Sequence, residues 1–149
     1  MRTIADAAVL AGLSRRLETV TATQSRVWGT MTAQQMLVHL GDGAEAVLKR
    51  RPFTASPRRA SRVFKWVALN LPLPWPRGIR SGAEPASRVL PAEAFSADRD
   101  RAVRTLHELA VASEGALADR HPLFGLMTRL DWQRWAFLHT DHHLRQFGV

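Results

Sequence analysis

Apolar residues recur at helical spacing in four stretches of the chain. From Ile4 to Val20 they fall at Ala7, Ala8, Ala11, Leu17 and Val20, near the period of one helix face. A second helix is expected from Thr32 to about Leu48. It opens with Thr32-Ala33-Gln34-Gln35, a capping-box pattern in which each end satisfies a free amide of the first turn. Ser96 is a candidate cap for a third helix running to about Leu117, with Ala102, Val103, Leu106, Leu109, Ala110 and Leu117 as its apolar positions. Thr128 is a candidate cap for the fourth, with Asp131 three residues on, and Gly148 stands where a left-handed C-terminal residue is expected. Strand signals are scarce, and no internal repeat or low-complexity tract interrupts the pattern. The expected fold is all-α: a four-helix bundle forming one domain over residues 1–149, with a long crossover between the second and third helices.

That connection starts with the basic run Lys49-Arg50-Arg51-Pro52 and continues through Arg58, Arg59 and Arg62. A short helix from about Ser61 to Leu71 fits the pattern. Pro72, Pro74 and Pro76 then stop it, because each lacks an amide donor. Up to Pro91 the chain should be irregular. In a bundle, such a segment carries a lid or a substrate wall.

Composition narrows the function classes. The chain has 149 residues and no cysteine, which excludes disulfides, thiolate metal sites and a cysteine nucleophile. A metal must be held by nitrogen and oxygen, and a thiol in the chemistry must arrive with a substrate. The most apolar stretch, Val63 to Trp75, contains Lys65, Asn70, Pro72 and Pro74 and is too short to span a bilayer. No signal peptide is visible, so a cytoplasmic location is expected. The formal charge is +8, almost all from arginine, with Lys49 and Lys65 the only lysines. That balance permits nucleic acid or an anionic membrane as partner, but no groove-reading motif accompanies it.

The chemistry lies in the histidines. On the last helix, with His139 at zero and about 100° per residue, Trp132 falls at about +20°, Trp135 at about −40°, Ala136 at about +60°, His143 at about +40° and Gln146 at about −20°. Two histidines and a glutamine therefore share the inward stripe, and His142 falls on its border at about −60°. On the second helix His39 also sits on an apolar face. Gly43 one turn along leaves room beside it, Gln35 stands one turn earlier, and Asp42 is placed to take the other ring N–H of His39. Burying imidazoles is costly unless each finds a partner. One divalent ion shared by His39, His139 and His143 solves this, leaving positions open to water or substrate. Three core histidines bonded to main-chain carbonyls solve it equally well. His107 reads as a boundary residue, and His121 as part of a turn over Phe124.

The motifs Trp28-Gly29-x-Met31-Thr32-x-x-Gln35-Met36-x-x-His39-Leu40, His121-Pro122-x-Phe124-Gly125 and His139-x-x-His142-His143-Leu144-Arg145-Gln146-Phe147-Gly148, with Trp132, span most of the chain. They resemble the DUF1569 family of the DinB-like (YfiT-like) superfamily of metalloenzymes. The poorly matching part is about Arg51 to Pro91. The resemblance implies a DinB-like bundle with a metal held by one histidine of the second helix and an H-x-x-x-H pair of the last, which land on His39, His139 and His143. Zinc, nickel or iron suits such a set. Similar proteins are thiol-dependent S-transferases and isomerases that use bacillithiol or mycothiol, and many pair as homodimers.

The leading expectation is a metal-dependent transferase or hydrolase acting on a small molecule, with a thiol or water activated at the ion. Trp132, Trp135 and Met36 would wall the cavity, Gln146 or Gln35 would orient the nucleophile, and Arg77 or Arg80 would bind an anionic group. Two alternatives stand beside it. One is a non-enzymatic basic domain whose segment 49–65, with Phe53, Phe64 and Trp66, binds nucleic acid or an anionic membrane surface. The other is a metal-free interaction protein that dimerises through a helical face.

Overall fold

A computed structural model describes residues 1–53, 61–71, 74–77 and 87–149. The fold is mostly helical. In chain order the helices are α1 (Ala7–Thr19), α2 (Ala33–Val47), α3 (Arg62–Asn70), α4 (Phe95–Val111) and α5 (Arg129–Gln146). A hairpin of two short antiparallel strands, β1 (Arg120–His121) and β2 (Gly125–Leu126), leads into α5.

Local chemistry sets most of the helix starts. Asp6 accepts from the amides of Ala8 and Val9, so α1 begins at Ala7 and not at Ile4. The expected capping box of Thr32 with Gln35 forms, and Thr128 caps α5 as expected, its box completed by Asp131. Ser61 caps α3 through the amide of Phe64. Gly148 adopts the expected positive φ of 71° after α5.

The third long helix departs from expectation at both ends. Ser96 does not cap it. A 3-10 turn, Ala92–Ala94, runs straight into α4, whose N-cap position is Ala94 and makes no side-chain bond. The helix ends at Val111, where Ala112 turns extended (ψ 140°). Leu117 is still buried, but as part of a loop pinned to the end of α2 by the Ala118 amide, which donates to Val47 O at 2.7 Å. Its fit to the helical period is a consequence of burial alone.

Helices α2 and α4 form the most extensive pairing. Helix α1 packs on α4 and α5, α5 also meets α2 and α4, and α3 lies against α5. The shared core includes Leu13, Leu17, Met36, Leu37, Val47, Leu109, Trp132, Leu144 and Phe147. Trp132 is wholly enclosed, and its indole N–H donates to Ala118 O at 2.6 Å, as a buried indole requires. Among the described residues no helix is long and apolar enough to cross a membrane. Arg58, Arg59, Pro72 and Arg80 lie outside the described residues.

Candidate metal centre

The inward stripe of α5 meets the apolar face of α2, and this brings three histidines together. His39 comes from α2, His139 and His143 from successive turns of α5. One ring nitrogen from each lies within 4.8 Å of those of the other two. The ring centroids form a near-equilateral triangle, with separations of 4.9, 4.8 and 4.8 Å. His39 Nε2 and His139 Nε2 approach to 3.0 Å. Two nitrogens sharing one ion at about 2.1 Å each lie about 3.0 Å apart at right angles and about 3.4 Å apart in a tetrahedron. The His39–His139 pair stands at the spacing of two ligands of one cation, and the His143 nitrogen lies within 4.8 Å, so the three rings could hold a metal ion between them. Among the described residues none of the three rings is bonded to a main-chain carbonyl.

Burial also sets the charge state. It lowers the pKa of His39 to about 4, against the opposing pull of Asp42. His139 and His143 are held well below the ordinary imidazole range, first by burial and then by the neighbouring rings. Neutral imidazole is the form that ligates.

The orientation of His143 comes from a relay. The Gln146 amide nitrogen donates to Trp28 O at 3.0 Å, so its Oε1 faces His143 Nδ1 at 2.9 Å. His143 then carries its proton on Nδ1, and the Nε2 lone pair is left for a metal. The relay needs Gly29. Its φ is +83°, and a β-carbon there would collide with Gln146 Nε2. The face of His139 is covered by Trp135, stacked at 4.5 Å with the planes 20° apart.

Other expected site residues divide. His142 reaches the rim of the cluster, 5.2 Å from His143 and 4.7 Å from Trp28. Trp132 stands one layer back, 5.5 Å from Trp135 and stacked on Phe53 at 6.0 Å. Gln35 is taken by fold contacts, its Oε1 accepting from the Thr32 amide and its Nε2 donating to Arg88 O. Asp42 makes no bond to His39. Its carboxylate is held by Arg101, Arg88 and Arg51, while Arg101 also grips Glu45. Partial burial pushes its pKa up, the arginines together pull it down, and the net direction is down. His107 bonds the Ser14 hydroxyl at 2.8 Å and takes no part.

His121 is structural, as its turn position suggests. Nδ1 accepts from the amides of Leu123 and Phe124, the ring stacks on Phe124 at 4.7 Å, and burial lowers its pKa to about 4. The sequence did not point to Trp28 O as the anchor of Gln146, or to Trp75 as a neighbour of His142 at 6.3 Å. The Trp28-Gly29 pair, with glycine required by a positive φ, is the signal that carried the first of these.

A family model matches residues 6–148, described as a protein of unknown function, DUF1569. The chain belongs to the DUF1569 family. The matched span takes in all three histidines of this DUF1569 chain, the Trp28–Gln146 relay and the His121 turn. No curated protein and no solved structure matches it.

Proposed function

We propose that the chain is a cytoplasmic, divalent-metal-dependent enzyme of the DinB-like superfamily, with His39, His139 and His143 holding one zinc, nickel or iron ion. The observation that carries the reading is the meeting of three neutral imidazoles from two helices, their donor nitrogens within 4.8 Å. On the same reading α1, α2, α4 and α5 are the bundle helices and α3 belongs to the crossover. A divalent cation bound there would supply Lewis acidity, lowering the pKa of a thiol or water so that its anion is available near neutral pH.

The chain's own residues prepare the site. Gln146 fixes the tautomer of His143. Trp135 covers His139 and keeps water from that face. With no cysteine in the chain, a reacting thiol would be a diffusible small molecule. The reaction classes that fit are thiol-dependent S-transfer and hydrolysis.

The basic segment gives less support to a nucleic-acid or membrane surface. Arg50 pairs with Glu108, Arg51 with Asp42 and Lys65 with Asp131. Phe53 and Phe64 stack on Trp132 and Phe124 of the same chain. Cations already neutralised release few counterions from a polyanion.

The test is metal analysis of protein purified without a histidine tag. About one ion per chain is expected, and His139→Ala with His143→Ala should lose it while the helical circular dichroism persists. Stoichiometric metal retained in that double variant, or none taken up by the wild type from excess zinc, rejects the site. The homodimer that accompanies this reading is tested by sedimentation, and a monomer at high concentration rejects it.

A further inference from the structure

Trp28, Trp75 and Arg77 lie beside the histidine triad without belonging to it. Trp75 is tied to α3 by its indole N–H, which donates to Ala68 O at 2.9 Å, and its ring lies 6.3 Å from His142. Trp28 meets His142 at 4.7 Å, and its carbonyl accepts from the same Gln146 amide that orients His143. Two indoles from distant parts of the chain thus converge on His142, whose ring is 5.2 Å from His143.

The guanidinium of Arg77 lies 5.4 Å over the ring of Trp28. Arg77 is exposed, and among the described residues no carboxylate pairs with it. Other described arginines, Arg2, Arg15 and Arg26 among them, also lack a carboxylate partner, and what sets Arg77 apart is its place over Trp28 beside the histidines. A guanidinium laid on an indole keeps its N–H edge free for a planar, two-point contact with a carboxylate. One such group balances one negative charge. Both indoles are half-buried, Trp28 with Arg77 over its ring and Trp75 against Phe124 and His142, so each leaves part of its apolar surface for the rest of a ligand.

We propose that Trp28, Trp75 and Arg77 are the substrate-recognition surface of the histidine site, selecting a small molecule with one carboxylate next to an apolar, flat-sided body. The proposal rests on the metal reading for the chemistry that follows, but binding can be measured without it.

The probes are benzoate, benzamide and phenyl phosphate, titrated against metal-free and zinc-loaded protein and followed by tryptophan fluorescence. Zinc content is measured in the same samples, so failure of the metal reading shows as absent zinc while the metal-free titration still decides this proposal. Wild type should bind benzoate about tenfold more tightly than benzamide, the scale of one charge-assisted pair. Arg77→Gln, at an exposed position, should abolish that preference and leave benzamide binding unchanged. Trp28→Leu should weaken both probes together. Absence of saturable benzoate binding, no preference over benzamide in wild type, a preference that survives Arg77→Gln, or tighter binding of phenyl phosphate than of benzoate each overturns the proposal.

Discussion

Gly43 faces the His139 ring from the neighbouring helix. A β-carbon there meets Trp135 at 3.4 Å and His139 at 3.5 Å, ordinary contact distances. Alanine should therefore be tolerated, whereas the branched side chain of Gly43→Val must push the ring away. Calorimetric zinc titration should show Gly43→Ala within about threefold of wild type and Gly43→Val weakened by tenfold or more, the cost of a misplaced ligand ring. Gln146→Leu removes the partner of His143 Nδ1 and should lower zinc affinity by about 10- to 100-fold. Equal affinities across these variants would show that neither contact positions a ligand. The histidine stripe was legible because helical spacing places His139, His143 and Gln146 on one face by local geometry alone. The role of Asp42 was not, because Arg51, Arg88 and Arg101 reach it from other parts of the chain.

At the scale of elements, α2 and α5 carry the three histidines, and both begin at capping boxes. The Thr32 box starts more than a turn before His39. Thr32→Ala should cost about 1 kcal/mol of stability in chemical denaturation and leave zinc stoichiometry unchanged. Loss of the metal in that variant would tie the site to the helix terminus more closely than the geometry does. The caps were readable because each bonds within three residues of itself. The end of α4 was not, since Leu117 is buried by a loop that the Val47 carbonyl holds in place.

For the whole molecule, burial of neutral histidines sets a pH dependence. His39 and His121 have folded pKa values of about 4, against an ordinary 6.5, and burial holds His139 and His143 well below 6.5. The unfolded chain binds these protons near pH 6.5 and the folded chain does not. Stability is then fully present above pH 6.5 and falls as the pH drops towards 4, by up to about 1.4 kcal/mol per pH unit for each ring. Denaturation of the metal-free protein at pH 7 and pH 5 should show this loss, and a flat profile would mean that the rings are protonated in the folded state. Zinc loading should raise the melting temperature at pH 7, because ligand binding favours the folded form. The helical class and the meeting of α2 with α5 could be read from the pattern. The convergence of Trp28 and Trp75 on His142 could not, because it depends on how distant segments return to one place.

The most direct measurement is X-ray absorption at the metal edge of zinc-loaded protein. Three imidazole nitrogens at about 2.0 Å are expected, falling to two in His39→Ala. A coordination shell without imidazole, or one unchanged by that substitution, would contradict the three-histidine site.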